Sequence, residues 1–362
     1  MSTNPLVNCD LSVVIIARNE EEMIASCIES VLLSVKTAHD AGLIESSEVV
    51  LADSASTDRT VEIAQRYPIK IVQLDKKWPL SASAGRFIGF INSVGKYVFF
   101  MDGDCTMDAE WFHKSIPHLN DEHVGGLEGI ESEFLEEDSL FNFEADSPIL
   151  SSEGFTKTNI VGKALFKREV LEEVGSYNPY LIGGEDRDIS YRVQSAGYLL
   201  IKLPFAAVTH YWAKKQGKLS LRRYLRSVYV WSKGDGQAFR YSYKNRKMFH
   251  QHITRYINTF YLKVYGLIFL FISLIYMNLL ALISSSQTFI LLLVAVLIDL
   301  VLLGVAGAYI GIRIKGGKWK EFVFSFHIIP YVFVRHFGFI VGFLKFPRNP
   351  KEYPIDVTII KE

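Results

Sequence analysis

The sequence predicts an α/β domain built on a parallel sheet, followed by helices that lie at and cross a membrane. Apolar runs of strand length alternate with amphipathic helical patterns over roughly the first 100 residues, which implies parallel strands joined by right-handed crossovers. Polar and acidic residues follow the ends of several of these strands. The chain is 49% hydrophobic, and the excess lies almost wholly after residue 258.

The elements of the first half follow in a regular order. Leu11 to Ala17 is an apolar run typical of a buried strand, and Met23 to Val35 has the apolar spacing of an amphipathic helix. The acids of Arg18-Asn19-Glu20-Glu21-Glu22, between them, complement a helix dipole. The elements predicted next are a strand over 48–52, a Ser/Thr/Asp loop over 53–60, a helix over 61–67, a strand over 69–73, a helix over 81–93 and a strand over 97–101.

The strand that runs into Asp102-Gly103-Asp104 carries the strongest chemical signal. Ligands of open α/β sheets bind at the carboxyl ends of the strands. Mg²⁺ is typically held by one or two carboxylates together with substrate phosphates. Asp102 and Asp104 are therefore candidate ligands of a divalent ion that carries a diphosphate. The alternative is a surface turn, for which Asp and Gly are common residues.

Two more polar residues are expected near the same edge of the sheet. Asp53 follows the second strand, where its carboxylate could accept the N3–H of a uracil ring. Arg86 lies near the start of a helix, and its fork of donors suits a diphosphate. Alternatively, Asp53 caps a helix and Arg86 forms a surface salt bridge. Their joint placement at one edge of the sheet favours the ligand-binding roles.

Four segments in order resemble the nucleotide-sugar half of family 2 glycosyltransferases of GT-A fold: Val14 to Glu20, Asp53 to Asp58, Ala84-Gly85-Arg86 and Asp102-Gly103-Asp104. In that family the first loop and the acid after the second strand hold the nucleotide base, usually uracil, and the paired acids hold the ribose or diphosphate through Mg²⁺ or Mn²⁺. The resemblance thus implies nucleotide-sugar contacts from Ala17, Arg18, Asn19, Glu20, Asp53, Ser54, Arg86, Asp102 and Gly103. Ser54-Ala55 stands where many relatives have Asp-Gly, which is a departure from the family pattern.

The segment Gly183-Gly184-Glu185-Asp186 precedes a predicted helix, and its glycines allow the backbone to approach a ligand closely. The resemblance implies that Asp186 is the general base, with Gly184 and Glu185 on the acceptor side. The base deprotonates the acceptor hydroxyl as its oxygen attacks the anomeric carbon from the face opposite the leaving diphosphate, which inverts that centre. The alternative is a helix N-terminus stabilised by acids.

The rest of this half carries weaker signals. Residues 125–153 are acidic and irregular and receive no chemical role. Residues 160–166 read as a strand, and 168–174 read as a helix that Gly175 ends. Ala206 to His210 reads as a short strand. His210 is either a third metal ligand, as in relatives, or a structural histidine.

After residue 215 the composition becomes basic and aromatic. Between Lys214 and Lys263 there are thirteen Lys or Arg and one acid, Asp235. Cationic, aromatic and aliphatic residues at helical spacing over 221–231 are typical of a helix in the membrane interface. Because apolar stretches follow directly, this pattern favours membrane lipids over nucleic acid as partners. The Gln-x-x-Arg-Trp motif of processive polysaccharide synthases is absent, since Val-Tyr-Val precedes Trp231.

Two later stretches are long enough to cross a hydrocarbon core of about 30 Å. Residues 266–283 contain no charge, and residues 289–312 contain only Asp299. Basic residues flank the pair, so the positive-inside rule places the enzyme in the cytosol. Residues 322–344 form a third apolar stretch, which either crosses or forms a re-entrant or interfacial pair of helices broken at Pro330. The second alternative is favoured because it keeps the basic residues after 344 inside.

The sequence therefore divides into a GT-A domain over 1–215, interface helices over 216–258, a membrane region over 259–345 and a cytosolic tail over 346–362. Three scattered cysteines fit a reducing compartment, and the first apolar run is too short for a signal peptide. We expect a multi-pass protein of the inner (plasma) membrane with a cytosolic catalytic domain.

The predicted function is an inverting, metal-dependent transfer of a sugar from a nucleotide-diphosphate donor to a hydroxyl of a lipid-linked or glycan acceptor. The expected donor is a UDP-sugar, and the expected cofactor is Mg²⁺ or Mn²⁺. The layout is similar to succinoglycan-type exopolysaccharide glycosyltransferases of bacteria. Two alternatives are a polyprenyl-phosphate sugar synthase, whose anionic acceptor needs no base, and a non-catalytic membrane scaffold.

Overall fold

The computed structural model describes residues 9–133, 156–158, 162–211, 221–242, 245–258, 328–345 and 357–362. The strands are β1 (Leu11–Ala17), β2 (Ser47–Asp53), β3 (Lys70–Gln73), β4 (Tyr97–Asp102), β5 (Cys105–Met107), β6 (Val124–Glu133), β7 (Thr156–Lys157), β8 (Ala164–Lys167), β9 (Leu199–His210) and β10 (Thr358–Lys361). The helices are α1 (Ile24–Asp40), α2 (Thr60–Ala64), α3 (Ala82–Ile91), α4 (Trp111–Ser115), α5 (Arg168–Val174), α6 (Glu185–Ala196), α7 (Leu221–Ser242), α8 (Arg246–Asn258) and α9 (Ile328–Leu344). A 3₁₀ turn covers Ile116–Asn120.

The strands form one mixed sheet with the order β10-β3-β2-β1-β4-β8-β6-β9-β5, and β7 pairs with β9. Strands β3, β2, β1 and β4 are parallel to one another, which confirms the parallel sheet expected for the first 100 residues. Beyond β4 the sheet is mixed, because β8 pairs antiparallel with both β4 and β6. The architecture is a GT-A-like α/β fold with a mixed sheet.

Both faces of the sheet are covered, which explains the unbroken apolar run of β1. All seven residues of β1 are buried. Ile15 packs in a core with residues of α1 and α4, whereas Val14 packs on the opposite face with residues of α3, α5 and α6. A strand covered on both faces gains from apolar side chains at every position. The unbroken apolar run in the sequence therefore indicates that β1 is buried on both faces.

Helix α3 approaches β1 closely at two glycines. A Cβ at Gly89 would lie 2.2 Å from Cγ1 of Val14, and one at Gly85 would lie 3.1 Å from Cγ2 of Ile16. Both contacts need the absence of a side chain on the helix. They hold the helix against the strand, and this fixes the position of Arg86.

Several predicted boundaries differ from the structure. Helix α1 continues to Asp40, and α2 ends at Ala64. The expectation that 125–153 is irregular is wrong for its first part, because 124–133 form β6 between β8 and β9. Three glycines and three acids interrupt the apolar pattern of this strand, so it forms because of its pairing with the neighbouring strands.

The chain divides into two compact units, Met1–Tyr243 with Gly338–Glu362 and Lys244–Phe337. Over the residues that the structure describes, no helix is both long enough and apolar enough to span a membrane. The predicted spans over 266–283 and 289–312 lie outside the described residues. The break expected at Pro330 does not occur within α9, which begins two residues earlier. Proline is tolerated in the first turn of a helix because no backbone N–H is needed there.

Candidate functional site

The parallel register brings the expected strand ends to one edge of the sheet. Ala17 pairs with Asp53, and Ile16 pairs with Asp102. Gly103 follows directly and donates its N–H to the carbonyl of Ile16 (2.8 Å). The sequence-based expectation that these residues share one edge is thus confirmed.

The loops that follow β1 and β2 are joined by hydrogen bonds. The N–H of Asn19 donates to Oγ of Ser56 (2.9 Å), and Oδ1 of Asn19 accepts from the N–H of Thr57 (2.8 Å). The N–H of Glu20 donates to Oγ1 of Thr60 (2.7 Å). Asn19 adopts a positive φ of 56°, which this residue type tolerates better than most. Arg18 is exposed, so it is accessible to a ligand.

Asp53 is fully buried and organises its own loop. Its carboxylate accepts hydrogen bonds from the N–H of Ser56 (2.9 Å) and from Nε2 of Gln73 (2.7 Å). Ser54 is also buried, and its N–H donates to the carbonyl of Ala17 (2.8 Å). Contacts from Asp53 and Ser54 to a nucleotide base stay a prediction. In this structure the two residues shape the loop.

A cluster of potential metal ligands lies where β4 ends. One ligand atom each from Asp102, Asp104, Cys105 and His210 lies within 4.8 Å of the others. Antiparallel pairing of β5 with β9 places His210 opposite Cys105, and Nε2 of His210 lies 3.3 Å from Oδ1 of Asp104. The strand pairing therefore brings together residues separated by more than 100 positions in sequence.

The chemistry of this cluster fits a divalent ion. Burial alone would raise the pKa of Asp102, but Lys163 and Arg86 lower it to about 2, so the carboxylate is ionised. Burial raises the pKa of the Cys105 thiol, and sulfur is a soft ligand that hard cations do not prefer. Two carboxylates with an imidazole suit Mg²⁺ or Mn²⁺ better than a soft metal. We therefore take Asp102, Asp104 and His210 as the candidate ligands.

His210 carries a proton in the absence of an ion. Burial lowers its pKa, but hydrogen bonds to Asp104 and Glu131 raise the value to about 9. Its Nδ1 lies 3.3 Å from Oε1 of Glu131. To hold an ion through Nε2, His210 would have to lose the proton on that nitrogen. The contact to Glu131 would keep the ring oriented, as partners of metal-bound histidines commonly do.

Two further residues of the site, Glu131 and Lys163, were not predicted from the sequence. Nζ of Lys163 lies 2.6 Å from Oε1 of Glu131 and 3.4 Å from Oδ2 of Asp102. Lys163 lies within the strand predicted over 160–166, and Glu131 lies in the stretch predicted to be irregular. Neither belongs to a motif, so only the pairing of β6 with β8 could reveal them.

Arg86 links the two sides of the site. Its Nη1 donates to Oε1 of Glu185 (2.9 Å), and its Nη2 donates to Oδ1 of Asp102 (3.1 Å). The side chain is 4% exposed, and its guanidinium lies 5.7 Å from the ring centroid of Tyr177. The surface salt bridge considered for Arg86 is therefore wrong, since its guanidinium is buried.

Asp186 lies beside this arginine. Its Oδ1 is 3.9 Å from Nη2 of Arg86 and, among the residues described, accepts no hydrogen bond. Burial and the adjacent Glu185 raise the pKa of Asp186 to about 7, and Arg86 opposes the rise. The side chain as a whole remains 36% exposed. An under-bonded carboxylate with this pKa suits proton transfer near neutral pH.

The loop before Asp186 rests on α7. Gly184 is the N-cap of α6 with a φ of +71°, and Oδ1 of Asp235 lies 3.1 Å from where its Cβ would be. Arg187 forms an ion pair with Asp235, and the N–H of Ile182 donates to Oε1 of Gln237 (3.2 Å). Helix α7 thus supports the segment that carries the candidate base.

The fold and the site together define the class of protein. A GT-A-like sheet carries paired carboxylates where a central strand ends, and a buried arginine joins them to an acidic helix N-terminus. Residues 12–175 match the family model described as Glycosyl transferase family 2. Over these residues the chain is similar to family 2 glycosyltransferases, as the sequence motifs predicted.

Two curated relatives support this assignment. The glycosyltransferase AglE of Haloferax volcanii is 28% identical over 207 residues, which covers 55% of this chain and 64% of AglE. The succinoglycan biosynthesis protein ExoA of Rhizobium meliloti is 24% identical over 227 residues, which covers 58% of this chain and 66% of ExoA. The matched segment therefore spans slightly less than two thirds of either relative.

A solved structure shares the fold over most of its length. The mannosyltransferase PcManGT from Pyrobaculum calidifontis, in complex with GDP-Man and Mn²⁺, superposes with a TM-score of 0.54 at 14% identity. The match covers 94% of this chain and 91% of that chain. At this identity the similarity shows the fold alone.

Proposed function

We propose that this chain is a membrane-anchored, inverting glycosyltransferase that moves a sugar from a nucleoside diphosphate to an acceptor hydroxyl. One observation carries the proposal. The guanidinium of Arg86 contacts Asp102, a candidate metal ligand, and Glu185, the neighbour of the candidate base Asp186. The groups proposed for the donor side and the acceptor side thus lie close together around Arg86, as a direct displacement requires.

On the donor side, Asp102, Asp104 and His210 would hold the divalent ion. When bound, such an ion stabilises negative charge on a leaving diphosphate as a Lewis acid. Arg86 adds a fixed positive charge, because its side chain is buried and its ion pairs with Asp102 and Glu185 hold it at the site. The joined loops after β1 and β2 would enclose the base.

On the acceptor side, Asp186 would take the proton of the attacking hydroxyl. Its pKa of about 7 leaves it substantially ionised at neutral pH and still basic enough to accept a proton. Oδ1 is buried, but the side chain as a whole is 36% exposed, so an acceptor hydroxyl can approach the exposed part of the carboxylate.

The donor nucleotide is proposed from similarity. Family resemblance favours a UDP-sugar, whereas PcManGT, which shares the fold, is in complex with GDP-Man and Mn²⁺. The two donors share the diphosphate that the ion and Arg86 would contact. A donor screen must therefore include both nucleotides.

Exposed apolar side chains support contact with a membrane. On α7, Val230 is 37% and Trp231 is 51% exposed, and on α9, Ile340 is 55% and Leu344 is 69% exposed. Large apolar residues that face solvent often mark an interaction surface. Together with the two apolar stretches over 266–283 and 289–312, they favour an acceptor held at the inner leaflet, lipid-linked or glycan.

A turnover assay on the purified full-length protein tests the proposal. Release of UDP or GDP is measured across a set of sugar nucleotides with polyprenyl-pyrophosphate-linked acceptors, with and without EDTA. We expect metal-dependent turnover, and we expect Asp186→Asn to reduce kcat by about 10²- to 10⁴-fold with little change in donor binding. The control is Glu169→Gln, which removes an exposed acid from the first turn of α5 and should leave kcat unchanged.

The alternatives predict other outcomes. Full activity of Asp186→Asn on a polyprenyl phosphate would favour a synthase whose acceptor needs no base. Failure to bind nucleotide and Mn²⁺ by calorimetry would favour a scaffold that lost turnover. Either result contradicts the proposed mechanism.

A further inference from the structure

Lys163 occupies an unusual position in the donor site. Its Nζ lies between two carboxylates, 2.6 Å from Oε1 of Glu131 and 3.4 Å from Oδ2 of Asp102. The side chain is only 11% exposed. Lys163 directly precedes β8, which pairs with β4 on one side and with β6 on the other, and those two strands carry the two carboxylates. The sheet therefore fixes the ammonium in the site.

In this position, Lys163 would compete with a metal ion for the carboxylate of Asp102. Asp102 is a candidate ligand of the divalent ion, and the same carboxylate already contacts the ammonium of Lys163. Two cations that share one carboxylate repel each other, and the repulsion is strong where water is largely excluded. Without a further anion, Lys163 should therefore weaken the binding of an ion to Asp102.

A diphosphate removes this conflict. An ammonium group has three donors that can turn toward different acceptors, and it binds phosphate oxygens as a compact point charge. Lys163 can keep its short contact to Glu131 and exchange Asp102 for a phosphate oxygen. Glu131 also contacts His210, so it remains in place as an anchor during this exchange.

We propose that Lys163 binds the diphosphate of the donor and thereby makes metal binding depend on the nucleotide. In the free enzyme, Lys163 neutralises Asp102 and disfavours the ion. In the complex, the ammonium lies on the diphosphate and Asp102 is released to the ion. The proposal deepens the proposed function, because it assumes that the donor and the ion bind at this site.

Binding measurements on the full-length protein in detergent test the inference. Mn²⁺ affinity is measured by the loss of the free-ion signal in electron paramagnetic resonance, with and without UDP and, separately, GDP. For the natural protein we expect nucleotide to raise Mn²⁺ affinity at least about tenfold, which corresponds to about 1.4 kcal/mol. Lys163→Met should bind Mn²⁺ alone about tenfold more tightly than the natural protein and should lose most of the nucleotide effect.

Two further variants control for charge and for folding. Lys163→Arg keeps the positive charge and should retain weak binding of Mn²⁺ in the absence of nucleotide. Lys167→Met removes the buried lysine at the end of β8 and should behave as the natural protein, because Nζ of Lys167 donates to the carbonyl of Asp121 (2.7 Å), away from the carboxylates that Lys163 contacts. Thermal unfolding of each variant verifies that it is folded.

The outcomes separate this inference from the proposed function. If the natural protein binds Mn²⁺ with nucleotide but Lys163→Met leaves both affinities unchanged, the role of Lys163 is refuted and the donor site stands. An equal effect of Lys167→Met refutes it as well. If the natural protein binds no Mn²⁺ even with nucleotide, both proposals fail.

Discussion

At the scale of single residues, Asp186 lowers the stability of the fold above neutral pH. Its pKa is about 7 in the folded protein against an ordinary value of 3.8. Between these two pH values the folded state binds more protons than the unfolded state. Its contribution to stability is therefore fully present below pH 3.8 and is lost as pH rises through 7. At pH 8 the ionised, under-bonded carboxylate destabilises the fold.

Because the charged form of Asp186 destabilises the fold at high pH, Asp186→Asn should stabilise it there. The variant should unfold at a higher temperature than the natural protein at pH 8, with a gain on the order of 1 kcal/mol after allowance for the exposed part of the side chain. At pH 4 the difference should nearly disappear. Thermal unfolding followed by circular dichroism at the two pH values measures it.

A matched variant, Glu169→Gln, should change the stability in the opposite direction. Glu169→Gln also removes an acid from the first turn of a helix, but Glu169 is exposed. Loss of its interaction with the helix dipole should lower stability by about 0.3–1 kcal/mol at pH 8. A loss of stability in Asp186→Asn at pH 8 would contradict the burial of an uncompensated charge at position 186.

At the scale of elements, the contact between α7 and the loop before α6 depends on glycine. A Cβ at Gly234 would lie 2.3 Å from the carbonyl oxygen of Gly183. The adjacent Asp235 forms an ion pair with Arg187 of α6. The position of the candidate base therefore depends on how closely α7 can approach.

Gly234→Ala tests this dependence. Alanine in a helix interior ordinarily stabilises by about 1 kcal/mol relative to glycine. Here the added methyl group forces the two backbones apart, so we expect a loss of about 1–3 kcal/mol in unfolding free energy and a fall in kcat. Arg226→Ala, at an exposed position of the same helix, should change neither measurably. A stabilised, fully active Gly234→Ala would show that the loop does not rest on α7.

At the scale of the whole molecule, the end of the chain returns to the sheet. Strand β10 pairs antiparallel with β3, and Nζ of Lys361 donates to the carbonyls of Gln65 (2.9 Å) and Tyr67 (2.5 Å). Residues 338–362 belong to the same compact unit as the sheet. Any membrane region between residues 259 and 337 must then begin and end on one side of the bilayer, which requires an even number of crossings.

We therefore predict two crossings, with the C-terminus on the side of the catalytic domain. An epitope tag after Glu362 should be protected from protease in intact spheroplasts and cleaved in inside-out vesicles. A tag inserted after Ser285, between the two predicted spans, should show the reverse pattern. Cleavage of the C-terminal tag in intact spheroplasts would instead indicate an odd number of crossings.

Local patterns were sufficient for the parallel half of the fold. The run from Leu11 to Ala17 predicted β1 with its observed bounds, because a strand buried on both faces is apolar at each position. The expectation that Asp53 and Asp102 lie at one edge also followed from sequence, since parallel strands end on the same side. The family assignment rested on these same segments.

The tertiary structure decided what local patterns could not express. Glu131 and Lys163 enter the site only because β6 and β8 pair, and the burial of Arg86 follows from the approach of α6, about 100 residues away. The protonation of Asp186 likewise depends on its surroundings, since burial and Glu185 together raise its pKa. Strand ends and helix starts are local properties that a sequence records, whereas charge pairing and desolvation arise between distant segments and exist only once the chain has folded.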